Sequence, residues 1–304
     1  MEKTLVILAG PTAIGKTSCG ISLASHFQTE IISADSRQIY RETSIGTAVP
    51  SPRELAQVRH HFIQTASIND PYHASRYEQE VLTLLESLFQ SYHLVLMVGG
   101  SGLYIDAVCY GIDDLPAADP VLRAALLDRF GKEGIEPLAL QLKELDPVSY
   151  GRVDLKNHQR VLKALEVSIQ TGKPYSGFLS RAPKKRPFRI LRMALDTERV
   201  LLYERINRRV DLMMKSGLLE EVKGLIPHRE MTALKTVGYR ELFRYLDGDV
   251  SLEEAVDLIK RNTRKFARKQ LTWFRKNHLY TWFSPGETAE MIRWIESRSA
   301  AEDH

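Results

Sequence analysis

Gly10-Pro11-Thr12-Ala13-Ile14-Gly15-Lys16-Thr17 fills every fixed position of G-x-x-x-x-G-K-[ST], and it stands between a strand pattern and a helix pattern. The preceding Thr4-Leu5-Val6-Ile7-Leu8-Ala9 is a short apolar run that ends at Gly10-Pro11, which predicts a buried strand, and residues 15–27 predict the helix that follows. In such a setting glycine permits a tight backbone path and successive N–H groups point into the loop. The helix N-terminus adds partial positive charge and Lys16 a full one. Thr17 can place its hydroxyl on Mg²⁺. The stretch predicts a site for linked phosphates and leaves the rest of the ligand open; ATP is the usual occupant of such a loop.

Working outward, strand patterns recur at 30–34, 61–64, 94–98 and 188–195, with helical patterns at 53–59 and 77–89. This alternation predicts an α/β fold, a parallel sheet covered by helices. From 119 to 171 the pattern is helix after helix. Asp119-Pro120 and Asp146-Pro147 each supply an N-cap followed by proline at the first helical position, and Gly172 and Pro174 stop the last helix. These signals predict a helical insertion domain, 115–187, carried by a core made of 1–114 and 188–304. After Leu195 the chain reads as helical. Ser251-Leu252-Glu253-Glu254 is a capping box that opens a helix reaching about Asn277, with Phe266, Ala267, Leu271 and Phe274 on a packing face and Arg261, Arg264, Lys265, Arg268 and Arg275 on another.

Composition bounds the function. Hydrophobic residues at 43% and charged residues at 26% are the ordinary globular balance, which argues against a disordered chain. No apolar run reaches the roughly 20 residues of a membrane span, and no secretory leader pattern precedes the first strand, so the expectation is a cytoplasmic protein, a monomer, without a membrane partner. Cys19 and Cys109 form no CxxC pair and are read as reduced packing residues. The net charge of +4 says little, but its distribution says more: seven basic residues and no acid lie between Arg261 and Lys276, and Lys184, Lys185, Arg186, Arg189 and Arg192 form a second cluster. Each cluster by itself reads as a solvated face; two of them beside a phosphate loop suit a polyanionic partner equally well.

ATP-hydrolysing proteins with this loop carry an Asp at the end of a later strand. Here residues 94–98 run into Gly99-Gly100-Ser101-Gly102, and the acid stands instead after the second strand, in Asp35-Ser36-Arg37-Gln38. Asp35 can serve as a general base or a metal partner, Gln38 can donate to and accept from a base edge, and Ser36 can cap or donate, although an Asp-Ser turn after a strand is by itself usually only a helix cap. His60 and His61 are adjacent on a strand and so face opposite ways, which makes at least one of them structural. Trp273, beside Phe274 on the amphipathic helix, reads more readily as packing than as a platform for a base.

These stretches, together with IGTAVPS at 45–51, NHQRVLKALE at 157–166, VGYRE at 237–241 and RKFARKQLTWFRK at 264–276, resemble in order the motifs of the tRNA dimethylallyltransferase family, of the bacterial type without a zinc finger. The resemblance runs over nearly the whole chain. It implies a P-loop NTPase-like fold, dimethylallyl diphosphate as donor, and as acceptor the exocyclic amine of the adenosine 3′ of the tRNA anticodon. By the same resemblance Gly10 to Thr17 and Arg205 hold the diphosphate, Mg²⁺ sits at Thr17, and Asp35, Lys16 and Ser101 form the catalytic group. Asp35, Ser36, Arg37, Gln38 and Ser101 meet the acceptor base, and Arg123, Gln159, Arg160, Val161, Leu162 and Lys163 meet the tRNA. Ser101 stands where the family generally has threonine, and Lys163 where many relatives have arginine. Two alternatives share the N-terminal residues: a small-molecule kinase using ATP, and an enzyme that prenylates free adenosine phosphates. A non-catalytic RNA-binding protein would need no complete phosphate loop.

Overall fold

The computed structural model describes residues 2–70, 72–113, 115–179 and 182–299. Strand β1 (Thr4–Ala9) leads through the phosphate loop into α1 (Lys16–His26), and β2 (Ile31–Ala34), α2 (Pro52–Leu55), β3 (His60–His61), α3 (Ala74–Leu88), β4 (Leu94–Gly99) and α4 (Gly102–Tyr110) follow. Four helices come next: α5 (Pro120–Glu133), α6 (Glu136–Leu145), α7 (Pro147–Tyr150) and α8 (His158–Thr171). The chain then returns through β5 (Arg189–Leu195) to α9 (Arg199–Lys215), α10 (Leu218–Gly224), α11 (Tyr239–Leu246), α12 (Leu252–Arg275), β6 (Thr281–Phe283) and α13 (Thr288–Ser299).

The six strands make one sheet in the order β3-β2-β4-β1-β5-β6, with every pairing parallel. Helices cover it, as the alternation of patterns predicts. Leu5 to Ala9 are wholly buried because β1 lies inside the sheet under helices on both faces, which is why this strand reads as a continuous apolar run. The described residues fall into two compact units, one within Met1–Tyr110 and Lys185–His304, the other within Gly111–Lys184; 115–187 was the span expected from the helix signals.

The helical unit has its own core of Leu126, Leu138, Leu142, Val161, Leu162 and Leu165. Its helix starts are fixed locally. Asp119 accepts from the N–H groups of Val121 and Leu122 at 2.8 and 3.2 Å, Asp146 from Ser149 N at 2.9 Å, and Asn157 from Arg160 N at 3.3 Å. In the sheet unit Ser251 and Glu254 close the capping box that opens α12.

Three expectations need correction. Residues 61–64 do not continue a strand: Phe62 and Gln64 have φ of 61° and 52°, a left-handed backbone that ends β3 at His61. The helix expected at 53–59 stops at Leu55. The chain after Leu195 is not all helical, since Thr281–Phe283 pairs with β5 as an added strand; three residues are too short for a periodicity to show. Cys19 and Cys109 are free and buried.

Candidate active site

The site lies at the carboxyl ends of β1, β4 and β2. Gly99 pairs with Ala9 on one side and Ala34 on the other, so the three strands end level and their loops leave side by side. With neighbouring strands about 4.8 Å apart, the phosphate loop and the Asp35 turn flank Ser101 across a gap of about 10 Å. The chain passes from β1 to β2 while β4 fills the place between, and at such a switch of strand order an α/β sheet opens a crevice. Residue 99 must be glycine here, because a Cβ would fall 2.1 Å from the Ala34 carbonyl oxygen.

A cavity of about 500 Å³ occupies this edge. One wall is Thr12, Ala13 and Gly15 to Ser18; a second is Asp35 to Gln38 with Ser101. Apolar side chains from distant helices, Val210, Met213, Leu218, Ile259 and Phe266, complete it. In the phosphate loop Gly10 and Gly15 have φ of 154° and 107°, and Ala13 takes a left-handed φ of 64°, an unfavourable conformation held in place by the surrounding loop.

Lys16 Nζ donates to the Pro11 carbonyl at 2.7 Å. The residue as a whole is half-buried, but its ammonium end is enclosed by protein, and this burial pushes it down to about 8; the Asp35 carboxylate opposes the shift and the Arg209 guanidinium adds to it. Linked phosphates in this loop would draw on the protonated form, which predominates below about 8 and is lost above it. Affinity for the diphosphate donor that the resemblance implies is therefore expected to weaken as pH rises from 7.5 to 9.5, where a diphosphate itself no longer changes charge. Titration calorimetry across that range checks this, with Lys16→Ala as the variant whose affinity stays flat.

Arg209, on α9, was not singled out from sequence. Its guanidinium donates to Thr12 Oγ1 at 3.2 Å and lines the cavity; burial holds it below the ordinary arginine value, and Asp35 and Glu54 counter this. Arg205, the arginine expected at the diphosphate, donates instead to the Ile14 carbonyl at 3.1 Å and buttresses the loop from an exposed position. The signal for Arg209 was present in the helix period: it follows Arg205 by four residues and so shares its face.

Gln270 is the second residue that sequence reasoning missed. Its Oε1 accepts from Thr12 N and its Nε2 donates to the Gly100 carbonyl, both at 2.9 Å, which ties the phosphate loop to the loop that carries Ser101. A polar residue three positions after Ala267 and four before Phe274 sits on the packed face of α12, where a buried carboxamide must find partners. Phe266, expected on that face, instead lines the cavity and is 46% exposed. Of the expected basic face, Arg264 is bound to Asn207 at 2.6 Å and Arg275 to Asp196 at 2.5 Å.

The Asp35 turn is held by its own carboxylate, whose Oδ1 accepts from Arg37 N at 2.9 Å and Gln38 N at 3.4 Å. Ser101 Oγ accepts from Ser36 N at 2.9 Å and donates to Ser36 Oγ at 3.1 Å, so these two serines fix each other. Arg37 is directed away, donating to the carbonyls of Thr232 and Ala233. Gln38 departs from expectation: its Nε2 donates to the carbonyls of Thr47 and Ala48 at 3.1 and 2.8 Å, so it meets a ligand as an acceptor only, through Oε1.

His61 pairs with Glu30 at 2.5 Å and is structural. His60 lines the cavity, and burial holds it below the usual histidine range, hence neutral. Trp273 donates to Asp106 at 2.9 Å, lies against Gly102 and is 42% exposed, so it is anchored at one end without being core.

Among the described residues no group of three His, Cys, Asp or Glu side chains could hold a metal ion. The donor set fits Mg²⁺ only in part, as a hydroxyl from Thr17 and a carboxylate from Asp35 on the same cavity; Mg²⁺ tolerates such a sparse protein set when phosphate oxygens and water complete its octahedron.

On the helical unit, Gln159 and Arg160 are exposed at the start of α8. Val161 and Leu162 are wholly buried in its core, and the expectation that they meet tRNA is corrected: on a helix the residues following an exposed pair turn inward. Arg123 and Lys163 reach the same buried carboxylate, Glu166, at 2.7 and 3.7 Å, each remaining about one-third exposed.

Residues 38–277 match the family model described as IPP transferase. The chain belongs to the IPP transferase family. Similar curated members include tRNA dimethylallyltransferase 1 of Bacteroides fragilis, 48% identical over 97% of this chain and 98% of that protein, and tRNA dimethylallyltransferase 2 of Parabacteroides distasonis, 49% identical over 97% and 99%. The crystal structure of the full-length tRNA isopentenylpyrophosphate transferase of Bacillus halodurans superposes with a TM-score of 0.73 at 34% identity, covering all of both chains. A eukaryotic dimethylallyltransferase solved acting on tRNA shares the fold, with a TM-score of 0.80 at 23% identity over 98% of this chain and 78% of that one. The family match begins at Gln38, after the phosphate loop and Asp35, so membership and the geometry of those residues are separate observations.

Proposed function

We propose that this IPP transferase moves the dimethylallyl group of dimethylallyl diphosphate onto the N6 amine of the adenosine 3′ of the anticodon in tRNA, releasing diphosphate. The observation that carries this is the character of the cavity: an anion end formed by the phosphate loop, Lys16 and Arg209, an apolar wall, and the Asp35 carboxylate opposite, with Glu54 as a second acid on the lining. A prenyl diphosphate needs the first two and an amine nucleophile needs the third. The kinase reading accounts for the same loop but not for the IPP transferase match over residues 38–277.

The loop N–H groups, Lys16 and Arg209 hold the diphosphate and neutralise charge as it leaves. The bond from N6 to the allylic carbon forms as the carbon–oxygen bond breaks. The bonding pair departs with the diphosphate, and the N6 proton passes to Asp35. The amine lone pair is delocalised into the ring, so positioning by Gln38 Oε1 and the fixed Asp35 turn supplies much of the rate. Bound Mg²⁺, held by Thr17 and the diphosphate oxygens, would add charge neutralisation at the leaving group. The target base must leave its stack, at a cost of a few kcal/mol, which phosphate contacts from Arg160 and the exposed basic residues offset.

No helix among the described residues is long and apolar enough to cross a membrane. We propose that the enzyme meets its tRNA in the cytoplasm, as a monomer.

Labelled dimethylallyl diphosphate, offered with an anticodon stem-loop or with AMP, tests the proposal. Label should enter the stem-loop, and replacing the target adenine by guanine should abolish transfer. AMP accepting label as well as the stem-loop does would remove tRNA as the acceptor and leave prenyl transfer standing.

The RNA surface has a separate test. Affinity should fall with salt at a log–log slope of about −0.9 per neutralised duplex phosphate, and Arg160→Glu should flatten the slope by about that much while leaving the donor KM unchanged. An unaltered slope takes Arg160 off the RNA. Arg123→Glu is a poor probe, because it would set a second carboxylate against the buried Glu166.

A further inference from the structure

We propose that Glu221 and Tyr239 are positioning residues of the acceptor site, which act through Gln38 by latching the loop that fixes its carboxamide. The inference rests on the reading of Gln38 as the group that meets the adenine edge.

The latch is a set of short contacts. Glu221, on α10, accepts from three successive backbone N–H groups: Ser44 at 3.0 Å and Ile45 at 2.7 Å on Oε2, and Gly46 at 2.9 Å on Oε1. Tyr239, the first residue of α11 and wholly buried, donates its hydroxyl to the same Oε1 at 2.7 Å. Successive N–H groups converging on one point make an anion-binding concavity. Here the protein fills it with its own carboxylate, which also keeps it from competing for substrate phosphate.

The fit is close. A Cβ on Gly46 would fall 2.6 Å from the Tyr239 ring and hydroxyl, so only glycine lets the loop lie against that side chain. Two residues on, Ala48 has φ of 53°, a left-handed backbone that persists only where its surroundings impose it.

The latched loop presents its next two carbonyls, those of Thr47 and Ala48, to Gln38 Nε2. Both amide hydrogens are thereby consumed, and the rotation of the carboxamide is set, with Oε1 on the opposite side. Neither Glu221 nor Tyr239 is among the residues lining the cavity, whereas Gly46, Thr47, Ala48 and Gln38 are. Their influence on the reaction has to pass through the loop. With the latch loosened, Ala48 can relax, the two carbonyls move, and Gln38 loses the partners that orient it, while the phosphate loop keeps its own support from Gln270 and Arg205.

A double-mutant cycle tests this, built on Tyr239→Phe, which removes one hydroxyl and keeps the ring over Gly46. Tyr239→Phe should raise the KM for the anticodon stem-loop about 3- to 10-fold, within the range of couplings seen inside one hydrogen-bond network, and leave the donor KM unchanged. Gln38→Ala should raise the same KM. Adding Tyr239→Phe to Gln38→Ala should raise it no further. Glu221→Gln, which sets an amide donor against the loop N–H groups, should reproduce the Tyr239→Phe pattern more strongly. If Tyr239→Phe costs as much in the Gln38→Ala background as alone, the latch does not act through Gln38 and the inference is overturned. If Gln38→Ala leaves the stem-loop KM at the wild-type value, the reading of Gln38 fails and the inference falls with it. A rise in the donor KM on Tyr239→Phe would also overturn it, by showing a general disturbance of the cavity.

Discussion

Asp35→Asn is expected to slow the chemical step by roughly 10²–10⁴-fold, the range for loss of a general base, with fold and substrate affinities retained at pH 7. The geometry explains why the variant is clean. Asp35 Oδ1 accepts from Arg37 N and Gln38 N, and an asparagine oxygen can accept both, so the turn keeps its shape. On the proposed mechanism, what is lost is the acceptor of the N6 proton. Asp35 also supports the protonated form of Lys16, so the variant should lose donor affinity at a lower pH than wild type does. Single-turnover rates with a stem-loop acceptor give the decisive measurement, and a rate near wild type would take the proton-accepting role away from Asp35.

Lys16→Ala is expected to lower kcat/KM for the donor by roughly 10²–10³-fold, comparable to removing one preorganised donor at a developing negative charge. Loss should be incomplete because Arg209 remains beside Thr12 as a second cation. Stem-loop binding measured without donor should be unchanged, since Lys16 lies in the phosphate loop with its ammonium against Pro11. Equal loss of stem-loop affinity in a filter-binding assay would move Lys16 out of the diphosphate site.

The two variants probe opposite walls of one cavity, and sequence read those walls unequally. The phosphate loop was legible because its chemistry is local: Gly10 and Gly15 supply the backbone angles, Lys16 and Thr17 follow at fixed spacing, and strand and helix patterns flank them. Asp35 was found by its place after a strand, and its assignment as base came with the family resemblance. Gln38 was expected both to donate and to accept, and its carboxamide has no donor left for a ligand. Its two donors are spent on Thr47 and Ala48, because Glu221, far along the chain, holds their loop in place.

By itself, the sequence determined the alternating α/β pattern, the phosphate loop, the helix starts at Asp119, Asp146 and Ser251, and the absence of any spanning helix pattern. All of these are written within a few consecutive residues, as backbone angles, caps and periodicity. Only the tertiary structure decided which side chains share the site. Gln270 meets Thr12 across 258 residues of chain and Arg209 meets it across 197, because the order of strands in the sheet brings α9 and α12 to the end of β1. The same cause sets the partners of residues named from sequence: Val161 and Leu162 turn into a core, Arg123 and Lys163, still about one-third exposed, pair with Glu166, and Arg37 reaches the carbonyls of Thr232 and Ala233. A side chain's type is carried by its own position, but its partners are set by packing between segments that the sequence keeps far apart.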